Sequence, residues 1–344
     1  MGGVERMKYG ALFLAVVLVS CSSVPQKSKT AETKSDIWDM AGENSMATPS
    51  PDGRWVVFVR ADTSQHKYPQ LYMKNLLSGE EKRLTYQIGQ VNFPTFSRDG
   101  RYIYFFSDTD ETKDNPPELI KVLDPKSREL QSFHHPHFEM PTGDVYRLNM
   151  FSNVVERLTK NPGFQGMAAA TVKSEGFWYV SHDNHAYDLH YFDLKTRSGK
   201  RARHNENMNL EPAVSPKGDQ IVWTEFSSDG VTSKIQIADP LFKSVKAPVA
   251  FSGIMASPAW RPQGDWIVFS AQFQNRKNFD LYAVRVVDGC LNQLTQTQLD
   301  ESWPRYMADG ESVVYTVSDG KKSHLQQVSF QPQTTCLDPA QIVP

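Results

Sequence analysis

The sequence predicts an all-β fold: a six-bladed β-propeller of four-stranded antiparallel blades, with an insertion in blade two. Three recurrences carry that prediction. A turn closing on glycine returns as Ser-Pro-Asp-Gly at 50–53, Ser-Arg-Asp-Gly at 97–100, Ser-Pro-Lys-Gly at 215–218, Arg-Pro-Gln-Gly at 261–264 and Met-Ala-Asp-Gly at 307–310, with a degenerate Lys-Ser-Glu-Gly at 173–176. The closing glycines Gly53, Gly100, Gly176, Gly218, Gly264 and Gly310 are spaced by 47, 76, 42, 46 and 46 residues, and self-similarity at such a period marks a radial β repeat. A short apolar run follows each turn, as in Trp55 to Val59, Tyr102 to Phe106 and Trp266 to Phe269. A proline recurs six residues before the glycine at Pro94, Pro212, Pro258 and Pro304, with Ala47 and Ala170 in that place in blades one and three.

The apolar runs are β-branched and aromatic, too short for helices and bounded by turn residues, so they read as strands. They do not alternate, which is the pattern of a strand buried on both faces, as in sheets stacked around an axis. The Asp-Gly pair is expected to supply the positive φ angles of a tight hairpin. The proline, lacking a donor, suits the end or edge of a strand. A second strand pair follows: Leu71 to Lys74 leads to Arg83, Leu84 and Thr85, Val145 to Asn149 to Arg157, Leu158 and Thr159, and Leu281 to Val284 to Leu294 and Thr295. The one long step places an insertion at about 108–142, a stretch holding Pro116, Pro117, Pro125, Pro136 and Pro141. Blade six has no such closing strand, so residues around Asp36 to Met40 are expected to supply its outer strand and remove an open sheet edge.

The unit Pro-x-Phe/Trp-Ser-Pro-Asp-Gly-Arg, then Leu-Tyr, then Arg-Leu-Thr, resembles the propeller repeat of the periplasmic TolB family, over nearly all of the chain after its N-terminal segment. The TolB propeller contacts the peptidoglycan-associated lipoprotein, so the resemblance implies a protein-binding role and no particular partner. TolB carries an N-terminal α/β domain, whereas only a short polar segment precedes blade one here.

The expected organisation is a lipoprotein signal peptide at 1–20, a flexible tether at 21–35 and the propeller at 36–344. Arg6 and Lys8 precede an apolar stretch from Tyr9 to Val19, a signal-peptide layout. Leu18-Val19-Ser20-Cys21 resembles the bacterial lipobox, which implies acylation of Cys21 and a membrane anchor. Ser22, in place of an aspartate, implies the periplasmic side of the outer membrane. In that oxidising compartment Cys290 and Cys336 are candidates for a disulfide. Their separation is one repeat period, and equivalent positions on neighbouring blades lie beyond the ~7 Å Cα limit. A bond therefore requires the tail after Phe330 to fold back on blade five.

The 344 residues carry a net charge of −2 and a pI near 6.5, with no basic excess for nucleic acid. There is no Gly-x-Ser-x-Gly elbow, phosphate-binding glycine loop or His-Glu-x-x-His motif. His134, His135 and His137 with Glu139 are weak metal candidates, because Pro136 breaks their spacing. His182, Asp183, Asn184, His185 and His190 read as a hairpin. The turn aspartates Asp52, Asp99 and Asp309 exchange with Lys217, Gln263 and Glu175 between blades and read as scaffold. Counting back from the recurrent proline gives a ring at the channel mouth: Glu43, Asn44, Gln90, Asn92, Asn209, Glu211, Asp300, Glu301, Ser302 and Trp303. Such a ring suits a basic or amide-bearing segment of a partner. The expected function is a lipid-anchored protein-binding or scaffolding module of the cell envelope, with no catalysis and no cofactor. Its partner would be an envelope protein or lipoprotein. The alternatives are a metal-dependent carbohydrate-active propeller enzyme and a small-ligand receptor using the channel mouth.

Overall fold

The recurring turn closes the hairpin between the first two strands in five of the six blades. In blade one the Gly53 N–H donates to Ser50 O at 3.0 Å and the Ser50 N–H to Trp55 O at 2.8 Å. The Asp52 carboxylate accepts from Ser50 Oγ at 2.6 Å and from the Arg54 N–H at 3.1 Å. Only Gly53 takes a positive φ, +70°. The expectation that both members of the Asp-Gly pair do so is corrected: the left-handed residue closes the turn, and the aspartate serves as an acceptor. Blade two repeats this with Ser97, Asp99 and Gly100 at φ +68°.

The computed structural model describes residues 38–62, 64–109, 140–173, 175–183, 186–249, 253–273, 276–333 and 335–337. The fold is an all-β, six-bladed propeller of antiparallel blades. Five sheets have four strands in sequence order, and the sixth has three among the described residues. The innermost strands are Glu43–Pro49, Val91–Phe96, Gln165–Ala170, Met208–Val214, Gly253–Trp260 and Asp300–Tyr306. Each touches the next, and the first touches the last, so the ring is closed. In blade two the second strand ends at Ser107 and the third begins at Asp144, which brackets the insertion. Most of that insertion, with His134, His135, His137 and Glu139, lies outside the described residues, as do Cys21 and the N-terminal segment.

Packing between blades explains the unalternating strands. Trp55–Ala61 is buried at its five central positions, with Val57 and Val59 against blade two and Val56 and Phe58 against blade six. Burial of a large apolar side chain contributes roughly 1.5–3 kcal/mol, and the clusters between blades hold from eight to fourteen buried apolar residues among those described. The Arg-Leu-Thr motif also has a physical basis. Thr85 Oγ1 accepts from the Leu71 N–H at 2.9 Å and donates to Gln70 Oε1 at 2.9 Å, finishing the ladder where the outer strand stops. Thr159 does the same for Val145 and Asp144.

Blade six differs from expectation. The described part of the anticipated outer strand, residues 38–40, forms no strand. Trp38 is instead buried against Val314 and Leu325, and its Nε1 donates to Gln327 Oε1 at 3.1 Å. Blade three also departs from the repeat. Gly176 has no positive φ and begins the second strand. Its hairpin has the same length as the others, with Ala170 opposite Phe177 as Pro49 is opposite Val56, so Gly176 lies two places past the turn position and Ala168, not Ala170, occupies the place of the recurrent proline.

That place is a β-bulge in every innermost strand. The ladder skips between Ser45 and Thr48, Asn92 and Thr95, Leu210 and Ala213, Ala256 and Ala259, and Ser302 and Arg305, with the same break in blade three. The proline sits where the ladder needs no donor. The residue before it is left-handed in all six blades: Met46, Phe93, Met167, Glu211, Ser257 and Trp303 have φ between +53° and +57°. Left-handed backbone costs a non-glycine residue on the order of 1–2 kcal/mol, and neighbouring blades offset some of it. The freed Met46 N–H donates to Thr316 Oγ1 of blade six at 3.0 Å, and the Ser257 N–H to Glu211 of blade four at 2.6 Å.

Candidate functional site

The left-handed corners divide the central channel. Phe93 and Trp303 meet there with ring centroids 5.6 Å apart, and Phe93 packs edge-on against Phe164 at 6.3 Å. Beyond this floor, toward the hairpin turns, lies a cavity of about 330 Å³. Its lining residues sit at or turnward of the corners in every blade, so it is a blind funnel opening on the face that carries the recurring turns. Two places past each corner come Thr48, Thr95, Ala169, Ala213, Ala259 and Arg305, which form its wall.

The charged lining residues are Arg98, Glu211 and Arg305. Glu211 is 3% exposed, and both of its oxygens accept hydrogen bonds. Oε2 accepts from Thr224 Oγ1 at 2.9 Å and from the Ser257 N–H at 2.6 Å, and Oε1 accepts from Ser257 Oγ at 2.8 Å. Arg305 Nη1 donates to Ser257 O at 3.2 Å and Pro304 O at 2.7 Å, and the guanidinium stacks 4.1 Å from the Trp303 ring centroid. Burial lowers the pKa of the Arg305 guanidinium to about 10, opposed by the Glu211 carboxylate. Arg98 reaches from the turn of blade two past blade three, donating to Val214 O at 2.7 Å and Ser215 O at 3.1 Å.

Of the ten predicted mouth residues, Glu211 and Trp303 line this funnel. The others lie on the far side of the floor, at the opposite end of the strands. Asn44 is buried, donating to Ala41 O and Gly42 O and accepting from Arg60. Asn209 is buried, accepting from Trp223 Nε1 at 3.0 Å. Asp300 accepts from the Phe279 N–H, and the Gln90 N–H donates to Asp108. Glu43, Asn92 and Ser302 are half-buried at the same end. Arg305 and Arg98 were missed by the sequence reading. The signal for Arg305 was its place directly after Pro304, where the other proline-bearing blades have Thr95, Ala213 and Ala259.

Glu301 is fully buried and accepts from Thr295 Oγ1 and from Thr297 Oγ1 at 3.1 Å. Burial raises its carboxyl from 4.5 to about 7, against the two hydroxyls and with the help of the Asp280 carboxylate, itself paired with Arg276. Tyr282 and Tyr315 face it and are also raised by burial. The folded chain thus keeps this proton after the unfolded chain has lost it. Its contribution to stability is full below about pH 4.5, declines as the pH rises to about 7 and is flat above. Asp108, raised to about 6, acts in the same sense. The melting temperature is expected to fall from pH 5 to pH 7, and Glu301→Gln to flatten that slope and raise the value at pH 7.5. Thermal scans across a pH series check this, and an unaltered slope in the variant would refute it.

Of the predicted histidine groupings, only His182 and His190 lie among the described residues, and they stand apart. His182 stacks on Tyr187 with centroids 4.4 Å apart, while His190 lies against Tyr179 at 5.4 Å, further along the same hairpin. Among the described residues no group of three His, Cys, Asp or Glu side chains is placed to hold a metal ion. Cys290 and Cys336 are bonded, with Cα atoms 5.0 Å apart. The tail leaves the repeat after Phe330 and returns to blade five, where the Leu337 N–H donates to Leu291 O at 2.8 Å.

Six blades around an axial cavity define a β-propeller with a central funnel. The chain belongs to the TolB β-propeller family: the TolB beta propeller domain matches residues 155–334. A TolB homolog of Chlorobaculum tepidum is 23% identical over 207 residues, which are 60% of this chain and 44% of the relative, so the chain spans less than half of that relative's length. The structure of putative TolB from Agrobacterium tumefaciens superposes with a TM-score of 0.60 at 15% identity, covering 86% of this chain and 93% of the other. TolB from Acinetobacter baumannii gives 0.59 at 18% identity, with coverage of 85% and 65%. At these identities what is shared is the fold.

Proposed function

We propose that this chain is a lipid-anchored propeller on the periplasmic side of the bacterial outer membrane, where it binds an envelope protein and performs no catalysis. Family membership supports a protein-binding role in the envelope. The observation that carries the reading to a site is the funnel: an axial cavity of about 330 Å³, closed on one side by Phe93 and Trp303 and open on the other. A cavity with apolar walls and few polar groups is the usual form of a recognition site. The lipobox-like run ending at Cys21 supports the anchor, and the Cys290–Cys336 bond suits an oxidising compartment.

Crosslinking and affinity capture from intact envelopes test the reading. Wild-type chain is expected to retain a discrete envelope protein, and Thr95→Phe, which fills the funnel from blade two, to lose it. Cys21→Ala is expected to move the chain from the membrane to the soluble fraction. Equal capture by wild type and Thr95→Phe would remove the funnel from the proposal.

A further inference from the structure

The wall of the funnel is small in five blades and cationic in one. Thr48, Thr95, Ala169, Ala213 and Ala259 leave the space open, and Arg305 enters it. Nη1 of Arg305 is occupied by Ser257 O and Pro304 O, but its Nε and Nη2 have no hydrogen-bond partner among the described residues. Glu211 acts on Arg305 through its charge, while its oxygens accept from Thr224 and Ser257 and from no guanidinium N–H. Arg98 Nη2 is held by the carbonyls of Val214 and Ser215. The lining therefore has two guanidiniums against one engaged carboxylate, a surplus of one positive charge.

A second observation points the same way. Trp303 is 7% exposed, lines the cavity and has no acceptor for its Nε1–H. Buried polar groups are ordinarily paired, and an unpaired donor beside a cavity calls for an acceptor from outside the chain. The stack sets the Arg305 guanidinium over the indole that carries this donor. The Nε and Nη2 edge of a guanidinium matches the two oxygens of a carboxylate in a forked pair.

We propose that the funnel holds a carboxylate, received by the Nε–Nη2 edge of Arg305 and the indole N–H of Trp303. Threonine, alanine and proline walls between rim and floor favour a slim apolar stem behind that group. The free end of a polypeptide and a small organic acid both present this chemistry. The inference rests on the funnel being the partner site and names the chemistry recognised there.

The test uses the full chain labelled with ¹⁵N, and its readout is the Trp303 indole resonance, assigned through Trp303→Phe. The probes are N-acetyl-alanyl-alanine as the free acid, the same dipeptide as its amide, and propionate. A saturable shift is expected with the free acid and about tenfold weaker binding with the amide. Arg305→Lys, which keeps the charge and loses the fork, is expected to weaken the acid similarly, and Thr95→Phe to abolish its binding. Should Arg305→Lys fail to fold, the comparison of acid with amide on the unaltered chain still decides. No saturable shift with any acid, or equal shifts with acid and amide, overturns the proposal. Tighter binding of the dipeptide acid than of propionate assigns the site to a chain end, and equal binding assigns it to a small acid. Loss of envelope capture in Thr95→Phe, with no preference for acid over amide, would leave the protein-binding reading standing and this one refuted. An acid-specific shift with capture intact would do the reverse.

Discussion

Glu211→Ala is expected to destabilise the folded chain by about 3–5 kcal/mol, the magnitude seen when one member of a buried charged network is removed. The carboxylate joins three blades: it accepts from Thr224 within blade four and from both the N–H and hydroxyl of Ser257 in blade five, and Ser257 O accepts from Arg305 in blade six. Alanine leaves three buried donors without an acceptor and Arg305 without its counter-charge. Each orphaned group costs on the order of 1–3 kcal/mol. Glu211→Gln keeps one oxygen acceptor and is expected to lose about half as much. Urea unfolding followed by tryptophan fluorescence measures both. A loss under about 1 kcal/mol for the alanine variant would mean that the three inner strands hold their register without this carboxylate.

Breaking the Cys290–Cys336 bond is expected to cost up to about 4 kcal/mol, the chain-entropy value for a closed loop of this size. The bond spans 46 residues and ties the tail to blade five. That tail packs a half-buried Leu337 against the core of blades four and five, and its carbonyl at Thr335 accepts from Asn292 at 3.4 Å. Cys336→Ser is expected to lower the melting temperature by several degrees and to expose the segment after Phe330 to protease before the rest of the ring. Cys290→Ser should match it, since each removes the same link. If cleavage instead begins within a blade in both variants, the bond does not act as the tail's fastening.

The architecture was legible because the turn demands a residue that few others can replace. Gly53, Gly100, Gly218, Gly264 and Gly310 all take left-handed backbone, so the period survives while Asp, Lys and Gln exchange before the glycine. The same signal misled at Gly176. That glycine is required by crowding, since a Cβ there would lie 2.3 Å from Phe192 O, and not by a turn. Blade three makes its bulge at Met167 and Ala168 without proline, so nothing in the residue types marked it.

The site was less legible for a related reason. Counting along an innermost strand assumes an unbroken pleat, and the pleat breaks at the left-handed corner. Met, Phe, Glu and Trp are uncommon in that conformation, so their presence there could not be read from propensity. Residues counted from the strand starts fell on the far side of the floor, and Glu211 and Trp303 alone were placed at the cavity. Cys290 and Cys336 illustrate the limit of the period itself. The repeat places them a blade apart, and they meet because the tail after Phe330 no longer obeys it.

The left-handed corner has a consequence for how such a ring can change over time. An ordinary strand position is bound to the alternation of its sheet, so altering it disturbs an interface between blades. The corner stands outside that alternation, and at four of its six copies (Phe93, Met167, Glu211 and Trp303) it borders the funnel. Four blades therefore bring to the funnel a side chain that no pleat dictates, and at Glu211 that side chain also ties neighbouring blades together. A scaffold of this kind can acquire a new ligand by single steps, with its specificity composed like a short word around the axis.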